Sequence, residues 1–209
     1  MHDVLLMEAC LQTVSALYIG AGPDRESGGG RDLTLLRNPL DDMPIVPGSS
    51  LRGRMAALLK AHRSDNDVDQ DSGKVLAILF GAPDKRSVLS FWDCSPEVPW
   101  AYEHRAAGLA LTHWRSEKAP SRDQRSVFRR RELISAGVRF KFRLTLLAGQ
   151  AEAAGLPPKM ALEHVKRGLR LIEQHGIGGA TVRGFGRVAF SNVKLSAAPS
   201  ASAFDLRVT

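Results

Sequence analysis

VRFKFRLTLL, residues 138–147, alternates apolar and polar side chains with a period of two. Val138, Phe140, Phe142 and Leu144 fall on one side and Arg139, Lys141 and Arg143 on the other, which predicts a strand with one face on a core. Toward the C-terminus, residues 159–175 carry Ala161, Val165, Leu169 and Ile172 at helical spacing, and a glycine-rich stretch separates this amphipathic helix from a last strand at 187–195. Toward the N-terminus, residues 4–19 read as a first strand, stopped by Gly20-Ala21-Gly22-Pro23. Residues 20–32 are glycine-rich and aperiodic, which makes a flexible loop. Pro44 to Ser50 form an extended piece ending in a Pro-Gly turn and two serines able to cap a helix at 51–62, whose inner face is Leu51, Met55, Leu58 and Leu59. An acidic linker at 64–73, a short helix at 74–81 and a strand at 88–94 follow. Residues 95–136 have weak periodicity punctuated by Pro and Trp, so they are expected to project as an insertion. The order is βαββαβ, an α+β ferredoxin-like arrangement that RNA-recognition modules share.

The chain has 209 residues, enough for one domain with a large insertion, and 44% hydrophobic with 24% charged residues excludes disorder as a description of the whole. No apolar run approaches a membrane span, and the start lacks a signal-peptide layout, so a cytoplasmic protein is expected. Cys10 and Cys94 sit in apolar stretches and read as buried, reduced thiols. Six histidines show no metal-cage spacing, the acidic 64–73 stretch lacks EF-hand spacing, and no P-loop occurs. The RNA-recognition signature of closely spaced aromatics is absent, so base stacking on the sheet face is not expected. The net charge of +7 points to a polyanion as partner.

Two segments could hold phosphates. Pro47 to Arg54 offers a helix N-terminus with the hydroxyls of Ser49 and Ser50 and the guanidiniums of Arg52 and Arg54. Residues 176–187 hold five glycines, among them Gly178, Gly179 and Gly184, with Arg183 between them, so backbone N–H groups could approach a phosphate closely. Taken singly, the first serves equally as a capped helix and the second as a tight helix-to-strand turn. Together, on adjacent segments of one fold, they favour a groove for a phosphate backbone.

PIVPGSSLRGRM at 44–55, LFG at 79–81, SVLSFWDC at 87–94, FRRRELISAGVRFKF at 128–142 and GIGGATVRGFGRVAF at 176–190, in that order, resemble the RAMP superfamily. Within it the chain resembles the small backbone subunits of type III CRISPR RNA-guided interference complexes. The resemblance implies a palm, residues 1–94 and 137–196, with a β-hairpin-like thumb at 95–136 and a C-terminal tail at 197–209. It implies several copies stacked along a guide RNA beside other subunits, and pairing of the guide with a target RNA. Between His113 and Arg131 the thumb segment carries Arg122, Arg125, Arg129, Arg130 and Arg131 among seven basic residues against two acidic ones, with Trp114 and Phe128 between them, which suits nucleic acid. Asp32, after Gly28-Gly29-Gly30-Arg31, falls where target-slicing members carry a loop aspartate. The resemblance therefore implies that Asp32 is catalytic and holds a divalent metal, Mg²⁺, completed by water and RNA phosphates. Two other readings are a structural subunit that leaves Asp32 unused and a guide-processing endoribonuclease relying on histidine chemistry.

Overall fold

A computed structural model describes residues 3–20, 35–62, 71–97 and 132–197. The elements are β1 (Leu5–Thr13), α1 (Gly48–Ala61), α2 (Asp71–Phe80), β2 (Leu89–Phe91), β3 (Arg139–Leu146), α3 (Ala148–Ala153), α4 (Pro158–His175), a 3₁₀ turn (Thr181–Arg183) and β4 (Val188–Ala197). The four strands form one antiparallel sheet in the order β2-β3-β1-β4.

The alternation in 138–147 is what seats β3. Phe140, Phe142, Leu144 and Leu146 are buried, while Arg139, Lys141 and Arg143 are exposed. The expected helical faces also point inward, with Leu51, Met55, Leu58 and Leu59 of α1 and Ala161, Val165, Leu169 and Ile172 of α4 all in the core. Helices thus cover one face of the sheet, and the opposite face carries the exposed β3 cations. A Cβ on Gly168 would lie 2.4 Å from Met55 Cγ, so this glycine is what lets α1 and α4 approach closely. Thr13, a buried polar residue where β1 ends, donates its hydroxyl to Ser135 O at 2.7 Å and accepts the Val138 N–H at 2.9 Å.

Several expected boundaries move. The apolar run 4–19 is a strand only to Thr13, because residues beyond it bond elsewhere: Leu17 exchanges hydrogen bonds with Ile134, and Ala16 O and Tyr18 O accept from the glycine-rich loop. α1 starts at Gly48, so Ser49 and Ser50 lie inside its first turn and neither caps it. The segment expected as an insertion has flanks that belong to the body. Lys141 N–H donates to Ser95 O, Glu97 N–H to Arg139 O, and Leu133 and Ile134 are buried. Cys10 and Cys94 are both buried and free, as expected. No described helix is long and apolar enough to cross a membrane.

Candidate nucleic-acid interface

The first turn of α1 is docked on the end of β2. A Cβ on Gly48 would lie 2.3 Å from Phe91 O, and the Gly48 N–H donates to Asp93 Oδ1 at 2.8 Å. Asp93 therefore occupies the position where a phosphate was expected to meet the helix N-terminus. The hydroxyl-bearing residues Ser49 and Ser50 remain exposed beside it. Asp93 also acts on its neighbour Cys94. Burial, and next the Asp93 charge, push the Cys94 thiol up to about 12 despite an opposing hydrogen bond from the Arg143 backbone.

Arg52 and Arg54 have partners within the fold. Arg52 donates to Phe80 O at the end of α2. Arg54 donates from Nε to Gly176 O and from Nη2 to His175 O, both at 2.9 Å, at the end of α4. A third arginine, Arg167 of α4, donates to His62 O at the end of α1, where the His62 and His175 rings stand 4.6 Å apart. Three helix C-termini are thus each met by an arginine from a different helix, satisfying carbonyls that the helix leaves unpaired and complementing its negative end. Part of the positive charge that pointed to a polyanion is accounted for inside the fold.

The glycine loop is ordered by the chain segment that follows β1. Gly179 N–H donates to Tyr18 O at 2.9 Å and Gly186 N–H to Ala16 O at 2.8 Å, while Ile177 N–H closes the loop on Gly186 O at 2.9 Å. Gly178 has φ of 75°, and a Cβ there would lie 2.3 Å from Tyr18 O. Gly184 ends the 3₁₀ turn at φ of 85° with open space around it, and Arg183 is exposed in that turn. The loop is therefore both a tight turn and an outward-facing ridge. Arg54 ties α1 to its entry, so Ser49, Ser50, Gly178, Gly179, Arg183 and Gly184 belong to connected segments.

Asp32 and the thumb arginines Arg122, Arg125, Arg129, Arg130 and Arg131 lie outside the described residues. Among the described residues, no three His, Cys, Asp or Glu side chains cluster as a metal site.

The cation-bearing face of the sheet holds residues that the sequence reading did not count as functional. Arg139, Lys141 and Arg143 stand in a row on β3, and Lys194 of β4 pairs across β1 at Glu8. Arg143 is 2.9 Å from Glu8, and Arg139 is 3.2 Å from Glu97. Arg139 also donates to Cys10 Sγ at 3.4 Å, and this bond, followed by the charges around it, raises its pKa further. Trp92, just past β2, is 52% exposed and donates its indole N–H to Thr145 Oγ1 at 3.1 Å. The signal for this surface was the period-two alternation itself, which puts the three β3 cations on one face.

A two-layer α/β body with an antiparallel sheet, a glycine loop after its last long helix and a docked helix after a PGSS turn define the class. A family model described as the RAMP superfamily matches residues 10–189, and the chain belongs to that superfamily. Among curated proteins, it is 30% identical to the CRISPR system Cms endoribonuclease Csm3 of Mycobacterium tuberculosis, over 91% of this chain and 88% of that protein. It is 27% identical to the protein of the same name from Enterococcus italicus, over 91% of each. Among solved structures, it resembles a chain of the type III-B Cmr-beta complex bound to cognate target RNA, with TM-score 0.62 and 14% identity, covering 94% of this chain and 62% of that one. It also resembles a chain of the Csm3-Csm4 subcomplex of the type III-A interference complex, with TM-score 0.55 and 18% identity over 92% of this chain and 77% of that one. These two likenesses share the fold.

Proposed function

We propose that this chain is a guide-RNA-binding backbone subunit of a type III CRISPR effector complex, stacking in several copies along the guide and cleaving complementary target RNA as an endoribonuclease. The observation that carries this reading is the 30% identity, across 91% of the chain, to a protein named as a Csm3 endoribonuclease. The sheet order β2-β3-β1-β4, with α1 between β1 and β2 and α4 between β3 and β4, supports a ferredoxin-like palm with residues 95–136 supplying the thumb. Ser49, Ser50, Arg183 and the glycine loop form the palm's guide-facing surface. The thumb arginines separate guide from target.

Asp32 is the cleaving residue of this reading. The 2′-oxygen of the target attacks the adjacent phosphorus in line as its proton passes to solvent, and the bond to the 5′-oxygen breaks as that oxygen takes up a proton from solvent. The products are a 2′,3′-cyclic phosphate and a 5′-hydroxyl. A divalent cation held by Asp32, water and RNA phosphates would stabilise the charge that develops on the phosphate. The test is cleavage of guide-complementary RNA by the assembled complex with Mg²⁺ or chelator. Asp32→Asn keeps the shape and loses the charge, so target binding should survive while cleavage falls at least a hundredfold. Undiminished cleavage by that variant would make the subunit's cutting residue another one, and cleavage that persists in chelator would remove the metal.

A further inference from the structure

We propose that Trp92 is a stacking platform for a base of single-stranded RNA on the cation-bearing face of the sheet, a site that rests on the guide-RNA reading above and extends it. Trp92 faces outward although its ring is among the largest apolar surfaces in the chain, and leaving half of it in water forgoes the burial that a core position would provide. It is nonetheless held in place. Its backbone N–H donates to Arg143 O at 3.1 Å, its indole N–H to Thr145 Oγ1 at 3.1 Å, and the start of α1 packs against its main chain, with the Cβ position of Gly48 2.9 Å from its carbonyl carbon. An aromatic ring that is exposed yet fixed loses little entropy when a flat partner stacks on it.

The surroundings favour a nucleic acid as that partner. Thr145, Arg143, Lys141 and Arg139 alternate along the outward side of β3, about 6.8 Å from one to the next. Phe91 pairs with Leu144 across the sheet, so Trp92 stands opposite Arg143 at one end of the cationic row. Lys194 adds a fourth cation on β4, while Glu8 and Glu97 are the carboxylates that pair with Arg143 and Arg139. Among the described residues Lys141 has no carboxylate partner. A stable protein contact is centred on apolar groups with charge depleted at its core. A cationic track ending in a fixed aromatic suits a strand whose phosphates follow the cations while one base leaves the line to stack. The ring comes from the chain just after an edge strand, not from the central-strand motif of RNA-recognition modules, which is why the missing signature did not exclude it.

The test uses the full chain and a 12-nucleotide oligouridine. In a Trp100→Phe/Trp114→Phe background, Trp92 is the remaining indole, and its fluorescence should quench on saturation. Trp92→Ala should weaken binding roughly 5- to 150-fold, the equivalent of about 1–3 kcal/mol for one stacked base, with the salt dependence unchanged because no charge is removed. Trp92→Phe keeps a ring and should recover most of the affinity, at an unfolding temperature matching the parent. Affinity within twofold of the parent for Trp92→Ala, with an unquenched indole, would overturn the proposal. So would a changed oligomeric mass with unchanged affinity per chain, which would make this face a contact between copies. Absence of salt-dependent RNA binding by the unsubstituted chain would instead overturn the guide-binding reading on which the site rests.

Discussion

Arg54→Ala separates two roles for a residue that the sequence places in an RNA groove and the structure places on a helix end. Its guanidinium makes two hydrogen bonds at 2.9 Å to the carbonyls of His175 and Gly176. A bond with one charged partner contributes about 1.5–3 kcal/mol. Arg54 is only half-buried and the carbonyls can rehydrate once it is gone, so the pair together contributes about 2 kcal/mol. At roughly 2–4 °C per kcal/mol for a chain of this size, the unfolding temperature of the RNA-free protein should fall by about 4–8 °C. Arg54→Lys supplies one point donor in place of a fork and should recover about half of that. The assay is thermal unfolding without RNA, alongside affinity for an RNA oligonucleotide. The cross-link also sets the entry of the glycine loop, so a modest loss of RNA affinity should accompany the loss of stability. An unfolding temperature within 1 °C of the parent together with a tenfold weaker affinity would refute the structural role and return Arg54 to the RNA.

Gly186→Ala should be strongly destabilising, by about 3 kcal/mol or more. Its φ is 74° and a Cβ would sit 1.9 Å from Ile177 O, so both backbone strain and a broken loop closure follow. Gly53→Ala is the counterpart. Gly53 lies inside α1 with nothing within 4 Å of its Cβ position, and the change should raise the unfolding temperature by about 1–4 °C in the same assay. The buried Cys94 thiol, pushed from the usual thiol range up to about 12, holds its proton more tightly folded than unfolded. It therefore contributes stability that is full below about pH 9 and is lost as pH rises toward 12, by at most about 1.4 kcal/mol per pH unit. Denaturant titrations at pH 8, 9.5 and 10.5 should show this extra slope in the parent and not in Cys94→Ala, and equal slopes would refute it.

The sequence alone determined the parts whose signal is local and periodic. The alternation of 138–147 placed Phe140, Phe142 and Leu144 in the core and the basic residues in water, and helical spacing placed Ala161, Val165, Leu169 and Ile172 against them, because a side chain's direction follows from its own backbone. The order of motifs was enough to indicate the superfamily that the family match assigns. What depends on partners distant in the chain was decided by tertiary structure. The run 4–19 is apolar throughout, yet it leaves the sheet after Thr13 because carbonyls at Ala16 and Tyr18 are needed by a loop more than 160 residues away. Ser49 and Ser50 fit a helix cap by type, yet Asp93 caps α1, because β2 brings a charged acceptor to the same N–H group. Arg52 and Arg54 suit a phosphate by type, yet they meet the ends of α2 and α4, because helix packing brings unpaired carbonyls within their reach. A side chain's chemistry is written at its own position, but its partner is set by which segments the core brings together.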